Sequence, residues 1–213
     1  MNIYSHFLTA TGRFNAYVQD IKKISDETIS KVTNILRVDT VDIVFVDNPK
    51  YTIPEIGIGG KTVNPNYIII SLNPSFSDFQ RTLHVELMST LAHELHHAAR
   101  WQAVGYGVTL LEAMISEGLA DHFAIEITSR KDVQLWDHAL DNKQIEVFSK
   151  KAKAYYDDKS YNHSAWFFGS KKMKIPRWTG YTLGFEIIKN YLQNNLGETS
   201  ASLYDADAKE FVT

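Results

Sequence analysis

Two histidines four residues apart, with a glutamate beside the first, are the part of this chain that could do chemistry. They are His93, Glu94 and His97 in the run Leu91-Ala92-His93-Glu94-Leu95-His96-His97. On a helix, residues four apart share one face, about a turn apart. Two imidazoles so placed can grip one metal ion, and the adjacent carboxylate can take a proton from a metal-bound water. This is most of a zinc hydrolase site. A catalytic zinc needs three protein ligands and an open position for water, so one ligand is still to be found. His96 lacks the four-residue offset from His93 and should point elsewhere. His84 and Glu86 read as ordinary helix residues.

The chain has no Cys, so the third ligand must be His, Asp or Glu. A third His in the pattern His-Glu-x-x-His-x-x-Gly-x-x-His is excluded, because Arg100 and Ala103 hold the required positions. An Asp from a distant loop stays open. Glu117 is the natural choice. It lies with Asp121 in a segment, 109–127, whose Leu110, Leu111, Met114, Ile115, Leu119, Phe123 and Ile127 make it apolar on more than one face. Buried carboxylates are costly unless each finds a partner, and a metal would supply one for Glu117. Gly105 and Gly107 would turn the chain so that this helix returns beside the first.

The elements that must position these groups can be read in outline. Leu83, Leu87, Leu91, Leu95 and Ala99 recur every fourth residue within 78–104, the buried edge of a helix, with His93 and His97 facing away from them. Thr109 with Glu112 is a capping-box pattern for the next helix. Residues 13–37 predict one long helix or two short ones, with Ser25-Asp26 as a possible break. Residues 41–46 and 67–72 predict strands, and the intervening Pro54, Gly57, Gly59 and Gly60 predict a turn, a bulge or a close backbone approach. Together these give an α+β fold whose sheet is small and mostly antiparallel. Residues 141–157 and 179–194 predict helices and 201–213 a short terminal one. Between them, 158–178 mixes aromatics with Lys and Arg and reads as a loop or short helices flanking a cleft.

The stretches His93-Glu94-x-x-His97 and Ser116-Glu117-Gly118-Leu119-Ala120-Asp121 together resemble the gluzincin metallopeptidases, the thermolysin-like clan. More closely, the chain resembles the DUF2268 family of predicted zinc-dependent proteases. The stretches that carry this likeness are Gly57-Ile58-Gly59-Gly60, Tyr67-Ile68-Ile69-Ile70-Ser71-Leu72-Asn73, His93 to Arg100, Glu117 to Asp121 and Gly180-Tyr181-Thr182-Leu183-Gly184. The resemblance implies one zincin-like domain over 1–213, with the sheet packed on a helical bundle that carries the His-Glu-x-x-His helix. It implies zinc held by His93, His97 and Glu117, with Asp121 hydrogen-bonded to the first zinc-binding His and fixing its orientation. Peptide bonds would be hydrolysed by metal-activated water with Glu94 as general base. Gluzincins add a Tyr or His that stabilises the oxyanion, and Tyr181 is the candidate here. They also bind peptide along an edge strand, for which Gly57–Lys61 is the candidate.

Other classes compete less well. A formal charge of −3 offers no general attraction to nucleic acid or anionic membrane, and the basic-aromatic patch in 158–178 is short. No apolar run approaches a membrane span, and the first residues lack the basic and apolar regions of a secretory signal. A cytoplasmic protein acting on a peptide or protein substrate is therefore expected, without nucleic-acid or membrane partners and with its oligomeric state open. A non-catalytic metal-binding regulatory or interaction protein that retains the site is the main alternative. A hydrolase of non-peptide amides is another.

Overall fold

The computed structural model describes residues 2–105 and 107–212. Among the described residues the protein is α+β, with a four-stranded mixed sheet and six α-helices. Two compact units divide it, residues 1–102 and 103–213. Met1 and Thr213, the ends of the single domain expected over 1–213, lie outside the described residues.

In the first unit, strands β1 (Ile3–Leu8), β2 (Val41–Asp47), β3 (Ile58–Asn64) and β4 (Tyr67–Leu72) form a sheet in the order β1-β2-β4-β3. The β1/β2 and β2/β4 pairs are parallel, and β3/β4 alone is antiparallel. The expectation of a mostly antiparallel sheet is thus corrected. It took 41–46 and 67–72 as strands joined by a glycine-rich turn, but that segment is itself strand β3, so β2 and β4 run parallel, and β1 adds a second parallel pair. That strand has apolar residues on both faces, with Tyr4 and Leu8 exposed, so it lacks clean alternation. Parallel pairing of β1 with β2 needs a long crossover, and helix α1 (Val18–Thr33) supplies it. The chain leaving β2 skips one place, runs back as β3 on the edge and returns as β4 inside. The more apolar strand takes the inner position, with Ile68, Ile70 and Leu72 fully buried beside Ile43 and Phe45.

Residues 18–33 form one unbroken helix. Ser25, the suspected break, is buried with its Oγ 3.2 Å from Ser5 Oγ on β1, a close helix–sheet crossing. Helix α2 (Phe79–Val104) is held near its start by an edge-on contact of Phe79 with Tyr17, ring centroids 5.0 Å apart. Near its end, Gln102 donates to Pro65 O (2.7 Å) and accepts from Asp39 N (2.8 Å). The Leu83–Ala99 stripe is buried as expected. So are Glu94, His96, His97, Ala98 and Arg100, so this stretch of α2 is enclosed on more than one side. Gly105, just after the helix, has φ +89°, which relieves the chain of the helical path.

The second unit is built on α3 (Leu110–Thr128), α4 (Asn142–Lys153), α5 (His163–Phe168) and α6 (Thr179–Asn194), and it ends in a 3₁₀ turn at Ala208–Val212. Thr109 caps α3 reciprocally with Glu112, as its pattern predicts. One apolar cluster joins Leu110 and Met114 to Trp166, Phe167 and Leu183; another joins Leu111, Ile115 and Leu119 to Ile188, Leu203 and Phe211. Helix α3 therefore packs on more than one side, which explains its all-round apolar sequence. At its crossing with α6 the backbones meet through Gly118 and Gly184. A Cβ on Gly184 would collide with the Met114 carbonyl oxygen, which is fixed in a helix. Among the described residues, no helix is long and apolar enough to cross a membrane.

Gly184→Ala should therefore destabilise the protein by about 3 kcal/mol, the upper end of ordinary overpacking, because backbone cannot step aside as a side chain can. Urea unfolding monitored by circular dichroism measures this; an unchanged midpoint would contradict the close crossing.

Candidate metal centre

Helical spacing brings His93 and His97 together on α2. Their Nε2 atoms are 2.9 Å apart and their rings are nearly perpendicular at 4.5 Å. His97 is buried and His93 partly so. Two ring nitrogens aimed at one point fit a zinc ion, whose nitrogen ligands at about 2.0–2.1 Å in tetrahedral geometry stand about 3.3 Å from each other.

Glu94, one residue on, is buried and faces β3. Thr62 Oγ1 is 2.8 Å from Glu94 Oε2 and 2.9 Å from the Glu94 carbonyl oxygen. Gly60, two residues earlier on the strand, lies on the same face. A Cβ there would stand 2.5 Å from Glu94 Cγ and Oε1. Gly57–Lys61, the candidate edge segment, is thus largely strand rather than turn. It lies at the end of the sheet order and against the Glu94 side chain.

Glu117 and Asp121 lie one turn apart on α3, both buried. Asp121 Oδ1 accepts a hydrogen bond from the Trp136 indole at 3.1 Å, and the Trp136 carbonyl accepts from Thr182 on α6 at 2.7 Å. A connecting segment of weak sequence signal thereby anchors a buried carboxylate. His122 stacks on Phe185 at 4.1 Å, and its Nε2 lies 3.1 Å from that residue's carbonyl oxygen. Burial holds the pKa of His122 below the usual histidine value. His122 is half-buried, and His96 is fully buried.

Tyr181, at the first turn of α6, sets its ring edge-on to Phe167 at 5.1 Å within an apolar cluster. A different tyrosine stands in the field of Glu117. The Tyr161 hydroxyl is 3.0 Å from His163 Nδ1, and the His163 ring stacks on Phe167 at 4.4 Å. Burial, with the charges of Glu117 and Glu112, pushes the Tyr161 pKa up to about 12. Burial pulls His163 down, and the charge of Glu117 opposes that.

One ligand atom from each of His93, His97 and Glu117 lies within 4.8 Å of the others, a group that could hold a metal ion. Two imidazoles and one carboxylate match the donor set of a catalytic zinc that keeps one position for water. The sequence singled out these three. It did not single out Thr62, Trp136 or the Tyr161–His163 pair. The tyrosine and histidine stood only as members of an aromatic-rich stretch. The one signal for the strand contact was the glycine run, since two adjacent glycines in a strand mark a close approach.

The family model described as "Predicted Zn-dependent protease (DUF2268)" matches residues 21–213. Among curated proteins, the chain is similar to the uncharacterized protein YjfC of Bacillus subtilis (strain 168), 23% identical over 187 residues, covering 80% of this chain and 61% of YjfC. It is also similar to the uncharacterized protein YjaZ of the same organism, 31% identical over 122 residues, covering 53% of this chain and 45% of YjaZ. The chain thus spans less than two thirds of the length of either relative. No solved structure is significantly similar to it.

Trp136→Phe should keep the ring packing but remove the donor to Asp121, leaving a buried acceptor short of one bond at a cost of about 1–3 kcal/mol. Denaturant titration reads this directly. A variant as stable as the parent would mean that the indole bond is incidental.

Proposed function

Because the chain belongs to the DUF2268 family of predicted zinc-dependent proteases, we propose that it is a zinc-dependent peptidase of the gluzincin type. The observation that carries this reading is the His93, His97 and Glu117 donor set with Glu94 next to it in sequence. The three donors would hold the ion. Asp121 would orient His93 with the carboxylate oxygen that the Trp136 indole does not use. When bound, zinc acidifies water and polarises a substrate carbonyl. Glu94 would take the proton of the water as its oxygen adds to the carbonyl carbon and would deliver it to the amine as the C–N bond breaks.

Substrate would lie extended along the free edge of β3. Ile58 O accepts from Ile53 N on that edge, so by strand alternation the backbone groups of Gly60 and Thr62 face the same way. These groups could pair with a peptide backbone directly beside Glu94. For the oxyanion, Tyr181 is the candidate the resemblance implies, and Tyr161, which stands in the field of Glu117, is a second; both rings pack against the same apolar cluster.

The test is zinc stoichiometry followed by cleavage of a peptide library, with and without chelator. Glu94→Gln should retain zinc and lose at least about a hundredfold in kcat, the lower bound for a positioned base. Cleavage unaffected by chelator or by this change would refute the peptidase reading.

Two further variants assign the remaining roles. Glu117→Ala should bind zinc far more weakly in a chelator competition; unchanged affinity would place the third ligand elsewhere. Tyr181→Phe and Tyr161→Phe separate the two tyrosines: the one whose hydroxyl meets the oxyanion should lose about 100-fold or more in kcat, and the other should change little. Loss in neither would mean that neither phenol stabilises the oxyanion.

A further inference from the structure

We infer that Thr62 is a positioning residue for Glu94, and that β3 sets the place of the base as well as offering an edge for substrate. What Glu94 does rests on the peptidase reading. How Glu94 is held rests on geometry within the first unit alone.

A glutamate has a long side chain whose rotamers are costly to fix. Here one hydroxyl lies within reach of both its ends. Thr62 Oγ1 has a single proton and two acceptors within reach, the Glu94 carbonyl oxygen at 2.9 Å and Oε2 at 2.8 Å. The carboxylate is the stronger acceptor, because hydrogen bonds to a charged oxygen are roughly twice as strong as neutral ones. The carboxylate is therefore tied to one point on the strand, and Oε2 is engaged, with the Glu94 carbonyl oxygen close beside the same hydroxyl. Gly60, on the same strand face, leaves open the space that any other side chain would take from Cγ and Oε1. The strand meets one carboxylate oxygen with a donor and leaves room for the other, so Oε1 is the oxygen left to accept the water proton. A peptide pairing with the Gly60 and Thr62 backbone would then lie on the strand that aligns the base.

The experiment uses the zinc-loaded full chain and compares Thr62→Val, which keeps the shape but loses the hydroxyl, with Thr62→Ser, which restores it. On a peptide that the parent cleaves, Thr62→Val should lose about tenfold to a hundredfold in kcat with KM and zinc affinity unchanged, while staying folded with a lowered melting temperature, because the buried carboxylate loses a donor. Thr62→Ser should recover most of that loss. Crystal structures should show the Glu94 carboxylate displaced in the valine variant and back in place in the serine variant. Gly60→Ala should displace the same carboxylate by contact and lower kcat similarly. A valine variant with parental kcat and Glu94 unmoved overturns the inference. So does a loss shared equally by valine and serine variants or accompanied by loss of zinc or of fold. If the zinc-loaded parent cleaves no peptide, the peptidase reading fails, and the Glu94 positions in the crystal structures alone decide the role of Thr62.

Discussion

A carboxylate taken out of water must be met by donors or by a cation, or the helix that carries it cannot stay buried. Helices α2 and α3 carry four such groups, Glu86, Glu94, Glu117 and Asp121, each less than a tenth exposed. Much of the local architecture answers this constraint. A strand threonine meets Glu94. An indole from the segment after α3 meets Asp121. The proposed metal would be the cation for Glu117. An isolated helix of this composition would not choose such positions for acids, so their presence marks function more strongly than apolar periodicity does.

The sheet matters here for its edge. Placing β4 inside and β3 outside leaves one strand with a free side, and that strand is the glycine-containing one that can approach α2 closely. An edge strand ordinarily invites unwanted pairing. In a peptidase the same unpaired backbone groups become a recognition surface, and the first part of this edge is already closed by Ile53. Chemistry and recognition would then share one short stretch of chain, Gly60 to Thr62.

The second unit plays a comparable part for α3. Gly118 and Gly184 let α6 approach α3 backbone to backbone, next to the turn of α3 that carries Glu117 and Asp121. The Tyr161–His163 pair stands in the electric field of Glu117, although it is more than forty residues away in sequence. Membership of the family extends over residues 21–213 and so includes both units.

The residues that could do chemistry, and the helices bearing them, were legible from the sequence because both depend on short-range spacing. Four-residue offsets place His93 with His97 and Glu117 with Asp121. The Thr109–Glu112 cap, the leucine stripe and the helix at 179–194 follow from the same local periodicity. The strand order was not legible. Register and parallel pairing are settled by contacts between distant segments, and β1 has no alternation to announce it. The same holds for the groups that position the acids. Thr62 lies 32 residues from Glu94 and Trp136 lies 15 from Asp121. No local pattern links such pairs; only the tertiary fold brings a lone hydroxyl and a lone indole to the carboxylates that need them.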